Sequence, residues 1–156
     1  MHTPRDRTMD AFRESILTHE GMGTGMTHRA SGAHAEEAVR AARDEVRRIE
    51  SLLSRFKPGS DVDRLNRSKG EWVDVCPDTL YVLEAARAFD ELSGGLFRAT
   101  VAPLSDWWGQ RRLNHSPREQ EIARLLPLVA AGAPEADREG GRARLKRQGQ
   151  GVDLGG

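Results

Sequence analysis

Between His34 and Phe56 the chain places Val39, Ala42, Val46, Ile49, Leu53 and Phe56 at alternating spacings of three and four residues. An α-helix is the backbone that gathers such positions onto one side. The polar remainder, Glu36, Glu37, Arg40, Arg43, Asp44, Arg47 and Arg48, then faces water. Glu36–Arg40 and Asp44–Arg48 put an acid four residues before a base, each adding a few tenths of a kcal/mol. The stripe is barely three heptads long, which favours an ordinary packed helix over a coiled coil. Lys57-Pro58-Gly59 ends it, and Phe56, closing the stripe, reads as a packing residue.

The flanking segments vary in pattern. Residues 1–20 read as a polar, poorly ordered lead-in, and Met22 to Ala30 as a turn followed by a strand. Ser60 is placed to cap a short helix through Asp61-Val62-Asp63, broken by Asn66, Ser68 and Gly70. Trp72 to Val75 alternates as a half-buried strand. Pro77 suits the first turn of a helix reaching Leu92, with Leu80, Leu83, Ala86 and Phe89 inward and Ser93-Gly94-Gly95 as its stop. Pro103 opens a short helix ending at Trp107-Trp108-Gly109. Ser116-Pro117-Arg118-Glu119 combines a capping box with a proline start, and Pro127 should end that helix. A final hairpin is expected, with Arg142–Arg147 outward, 148–151 turning and Val152-Asp153-Leu154 returning. The whole reads as an α/β (α+β) chain with a mixed sheet and packed helices.

Composition narrows the function classes. The 156 residues carry 24 basic and 24 acidic side chains, a balance that argues against a nucleic-acid partner. Hydrophobic residues make up 37% and charged residues 31%, so the core is modest and no stretch is long and apolar enough to span a bilayer. Cys76 is the single cysteine, which excludes an intrachain disulfide, and His2, His19, His28, His34 and His115 show no metalloprotease-type spacing. The first residues lack the apolar run of a signal peptide, so a cytoplasmic location is expected.

Few side chains point to chemistry by themselves. Gly21-Met22-Gly23-Thr24-Gly25 is a loose glycine motif without a strand before it and a helix after it, and reads as a turn. Asp61 and Asp63 are explained by capping. Asp153, isolated between Val152 and Leu154 ahead of Gly155-Gly156, suits either a ligand contact at a strand end or an edge-strand cap. Trp107-Trp108 reads as a pair of core anchors. Cys76 before Pro77 reads as a helix-cap position and His115 as a surface residue.

Four segments taken in order carry more. MGTGMTHRA (Met22–Ala30), SRFKPGSDVDRLNRS (Ser54–Ser68), SGGLFRATVAPLSDWWG (Ser93–Gly109) and GVDLGG (Gly151–Gly156) resemble successive motifs of the FAD:protein FMN transferase family, the ApbE-type proteins. The resemblance runs over about residues 21 to 156 and implies a T-fold-like architecture. It implies FAD as substrate, Mg²⁺ as cofactor, and transfer of FMN to a threonine hydroxyl on a target flavoprotein, with AMP released. By the same resemblance Met22 lies near the flavin and Phe56 stacks on the isoalloxazine. Leu96, Phe97 and Arg98 line the adenine-containing half, Asp153 holds the ligand, and the Gly156 carbonyl helps coordinate the metal.

The departures from the family pattern are specific. Arg98 stands where the family has aspartate, replacing an acceptor with a cation able to pair with a phosphate. Phe56 replaces a tyrosine and lacks its hydroxyl. The lysine-containing helix and later metal positions that follow the double glycine in the family have no counterpart, and there is no lipobox cysteine. The sequence is therefore expected to represent an N-terminal portion, inactive in transfer by itself. An FAD pyrophosphatase of the same family and a non-catalytic flavin-binding module are the alternative readings.

Overall fold

The computed structural model describes residues 13–110 and 119–155. The described residues form an α/β structure of five helices and two small sheets, and every strand pairing among them is antiparallel, not mixed. The chain divides into two compact units, Met1–Glu50 and Ser51–Gly156. No described helix is long and apolar enough to cross a membrane.

The first unit opens with a hairpin. Strands β1 (Glu14–Gly21) and β2 (Thr24–Ser31) pair in register from Glu14↔Ser31 to Gly21↔Thr24. Met22 and Gly23 form a two-residue turn with φ of 50° and 74°, the left-handed geometry whose twist matches a tight hairpin. The expected turn and strand are present, but Glu14 to Glu20, read as lead-in, form a partner strand. The half-buried side of β1 carries Ser15, Leu17 and His19, only one of them strongly apolar, so the alternation is faint in hydropathy. Thr18 and Thr27 hydroxyls meet at 3.1 Å across the strands. On the other face the Nε2 atoms of His19 and His28 lie 2.9 Å apart.

Helix α1 (Ala35–Leu53) follows. Its stripe behaves as the spacing predicts: Val39 is buried, while Ala42, Val46, Ile49 and Leu53 are half-buried. Glu36 pairs with Arg40, Asp44 bonds the neighbouring Arg43, and Arg48 bonds Glu45. The helix stops three residues before Phe56, which is 72% exposed and packs into no core. The turn after the helix is tied by side chains instead. The Ser60 hydroxyl donates to the Ser54 carbonyl (2.6 Å), and the Phe56 amide donates to Ser54 Oγ (3.3 Å).

The second unit is organised by α2 (Asp61–Arg67) and α3 (Pro77–Leu92). Ser60 caps α2 as expected, accepting from the Asp63 amide at 2.9 Å. Asp61 does more than cap. Its buried carboxylate accepts from the Cys76 amide (2.6 Å), the Thr79 hydroxyl (2.7 Å) and Arg64 Nη2 (2.6 Å), joining the starts of two helices. Cys76 occupies the N-cap of α3 without a side-chain cap bond, and Pro77 takes the first turn. Leu80, Leu83 and Ala86 point into the core, but Phe89 is 61% exposed, its ring meeting Phe97 instead.

Strand β3 (Val73–Asp74) precedes α3. Helices α4 (Ala102–Gln110) and α5 (Glu119–Val129) come after it, then strands β4 (Glu135–Asp137) and β5 (Arg142–Arg144). Helix α5 continues through Pro127 rather than ending there, and the Ala130 amide closes its last turn on the Leu126 carbonyl (2.8 Å). Trp107 is half-buried but Trp108 is 63% exposed, so the two are not a pair of core anchors. His115 and the capping box at 116–118 lie outside the described residues.

The sheet order is β3-β5-β4. Thus Arg142–Arg144 pairs with two neighbours but not with Val152–Leu154, and the expected final hairpin does not form. Asn66 replaces the ladder: its side-chain amide donates to the Val152 carbonyl (2.9 Å) and its oxygen accepts from the Val152 amide (2.7 Å). Val152 is thereby fully buried with Val62, Leu65, Val75, Leu80, Leu83, Ala143 and Leu145.

Candidate functional site

A cleft of about 830 Å³ opens in the second unit, walled mainly by apolar side chains. Helix α3 contributes Val82, Ala85, Ala86 and Phe89, the following loop contributes Leu96, Phe97 and Arg98, and the chain end contributes Asp153, Leu154 and Gly155. Of the residues singled out in the sequence, Leu96, Phe97, Arg98 and Asp153 are therefore brought to one place.

The loop owes its shape to the end of α3. Gly94 and Gly95 have φ of 61° and 84°. The Gly94 amide donates to the Glu91 carbonyl and the Gly95 amide to the Asp90 carbonyl (3.1 and 2.9 Å), the two bonds of a Schellman cap. A Cβ on Gly95 would meet only the movable end of the Arg98 side chain, so it is the positive φ that calls for glycine here. Ser93 adds a further tie, its hydroxyl donating to the Asp90 carbonyl and accepting from the Phe97 amide (3.1 and 2.9 Å). The loop thus presents Leu96, 93% exposed, and Phe97, whose ring meets Phe89 edge-on at 6.2 Å between centroids. Apolar surface this exposed is uncommon for structural residues and suits a ring-bearing ligand.

Arg98 faces a partner of its own. Its Nη1 lies 3.0 Å from Asp90 Oδ2, and its Nε donates to the Gly95 carbonyl at 3.2 Å. Asp90 is buried, so this ion pair shares little with solvent. The Arg98 cation is consequently balanced by Asp90 of α3, and the pair braces the loop.

Asp153 is held from both sides. Its amide donates to the Ala99 carbonyl (2.8 Å), and its Oδ1 accepts from the Gly155 amide (3.0 Å), an Asx-type turn with Gly155 at φ 78°. Oδ2 lies 3.1 Å from Arg55 Nε, and Arg55 Nη1 bonds Asp106 Oδ1 at 2.6 Å. The Arg55 guanidinium also lies over the Phe56 ring, 4.4 Å from its centroid. Sequence reasoning passed over Arg55 and Asn66, although both lie inside a motif segment. Their neighbours carried the pattern, and nothing local shows which distant carboxylate or backbone they reach.

The remaining candidates fall elsewhere. Phe56 is outside the cleft lining, Met22 is the half-buried first residue of the hairpin turn in the other unit, and Gly156 is outside the described residues. Among the described residues no group of three or more His, Cys, Asp or Glu converges as a metal site. The Mg²⁺ implied by the resemblance thus finds no complete donor set within them.

Comparison with known proteins agrees with the motifs. The sequence matches the ApbE family over residues 22–156. An ApbE protein of Thermotoga maritima superposes with a TM-score of 0.82 at 26% identity, covering 92% of this chain and 48% of its own. The flavinyl transferase ApbE of Pseudomonas stutzeri gives 0.77 at 21% identity, covering 92% and 50%. The flavin transferase ApbE of Vibrio cholerae gives 0.78 at 20% identity, covering 92% and 48%. The chain spans about half the length of the solved structures it matches. No curated protein matches it in sequence.

Proposed function

Since the chain belongs to the ApbE family, we propose that it supplies the FAD-holding cleft of a flavin transferase. The reaction is transfer of FMN from FAD to a threonine hydroxyl of a target flavoprotein. The hydroxyl oxygen attacks the FMN-side phosphorus of the pyrophosphate, the phosphorus–oxygen bond to AMP breaks, and the hydroxyl proton is lost. The observation that carries this reading is the convergence of the Leu96-Phe97-Arg98 loop and Asp153, which lies far along the chain from it, on one apolar cleft.

In this reading Leu96 and Phe97 offer flat apolar surface to the adenine-containing half, and the Arg98–Asp90 pair keeps that loop in place. Asp153 has a carboxylate oxygen available to accept from a ligand N–H or O–H, while its partners keep it oriented. Phe56, largely exposed and covered on one face by Arg55, offers its other ring face for stacking. Dependence on Mg²⁺ belongs to the proposal on chemical grounds, since a divalent cation offsets charge at a pyrophosphate.

FAD titration followed by quenching of flavin fluorescence tests the binding part. Asp153→Ala is expected to weaken binding about tenfold, matching a lost charged hydrogen bond of about 1.4 kcal/mol. Unchanged affinity would count against the assignment. AMP release assayed with and without an acceptor flavoprotein then separates transfer from FAD hydrolysis.

A further inference from the structure

We infer that Arg55 is a positioning residue that ties Asp153, in the cleft wall, to Phe56, the ring read as stacking on the flavin. The inference rests on the FAD reading above, and its geometry is independent of it. Arg55 is drawn inward, with only 11% of its side chain exposed, and makes three different contacts. Nη1 bonds Asp106 of α4 at 2.6 Å, Nε faces Asp153 Oδ2 at 3.1 Å, and the guanidinium plane covers one face of Phe56 at 4.4 Å. A planar, permanently charged group can serve all three at once, whereas an ammonium cannot.

The Asp153 contact has a particular character. Arg55 Nε is buried yet has no hydrogen-bond acceptor in line, so the 3.1 Å approach to Oδ2 is a charge contact off the N–H axis. Arg55 thus attracts the Asp153 carboxylate without a hydrogen bond through Nε. The same cation backs one face of Phe56, leaving the opposite face to a ligand ring and limiting the ring's motion. Asp106 is the anchor, holding the guanidinium from the far side.

A role at the flavin end separates from general stability by ligand dissection. For Arg55→Gln we expect at least a tenfold loss of affinity for FAD and FMN, no more than a twofold change for AMP, and loss of the red-shifted flavin band that marks stacking. Arg55→Lys restores charge without the planar fork and is expected to recover affinity only in part. Asp106→Asn, which loosens the anchor at an exposed position, should weaken FMN binding by a smaller factor and serves if Arg55→Gln does not fold. Equal losses for AMP and FMN in folded variants, or unchanged FMN affinity and spectrum, would overturn the positioning role. Failure of the unaltered chain to bind FAD or FMN would instead overturn the reading it rests on.

Discussion

The hairpin of the first unit and the cleft of the second are held together by different kinds of contact. In the hairpin the pairing zips outward from a two-residue turn, beginning at Gly21↔Thr24 and ending at Glu14↔Ser31, all within one short stretch of chain. The cleft depends on side chains that seize distant backbone: Asn66 holds Val152, Asp61 holds Cys76 and Thr79, and Thr100 donates to the Val129 carbonyl at 3.0 Å. Local pairing spreads stability over many weak bonds. Long-range clamps concentrate it in a few side chains, each costly to remove because it leaves buried polar groups unpaired.

That contrast orders the expected effects of substitution. The largest belongs to Asn66→Ala, which strands the amide and the carbonyl of the buried Val152 together. At about 1–3 kcal/mol for each unsatisfied group, a loss of about 2–6 kcal/mol is expected in chemical denaturation. The same variant should weaken FAD binding, since Asp153 follows directly. A loss below about 0.5 kcal/mol would show that the clamp is dispensable.

In the hairpin, Thr18→Ala removes the cross-strand hydroxyl contact with Thr27 and is expected to cost only about 0.2–1 kcal/mol. If it cost as much as the Asn66 variant, the distinction between the two regions would fail.

The smallest effect is electrostatic and lies at the edge of the second sheet. The Gly140 amide, and after it the Arg142 side chain, hold the Asp137 carboxyl below its usual range. The folded form therefore binds its proton less readily than the unfolded chain. The resulting stabilisation is fully present above the unfolded carboxyl's pKa and fades as pH falls through the lower folded one. The Tm difference between the unaltered chain and Asp137→Asn should accordingly shrink on acidification from neutral pH. A difference that grew would reverse the assignment.

Legibility followed the same division between local and distant. Helix α1 was readable because burial recurs with the helical period, and α3 because Pro77 and Ser93-Gly94-Gly95 mark its ends chemically. The extent of β1 was not, since its inward side carries Ser15, Leu17 and His19, and its strand character comes from pairing with β2. Phe56 and Phe89 look like core in the pattern and are exposed, because periodicity records which side of a helix a residue occupies but not where its covering partner ends.

Within the site, the motif residues Leu96, Phe97, Arg98 and Asp153 could be named from their order along the chain. Their meeting in one cleft could not, nor could the grip of Arg55 on Asp106 and Asp153. By itself the sequence determined helices α1 and α3, the Ser60 cap of α2, the glycine stop after α3 and the family, all of which rest on neighbours within a few residues or on motif order. Only the tertiary structure decided that Val152 to Leu154 leaves the sheet to lie against Asn66, and that Arg98 is balanced by Asp90. Those outcomes depend on which buried donor meets which acceptor, a matter of three-dimensional proximity that spacing along a chain does not encode.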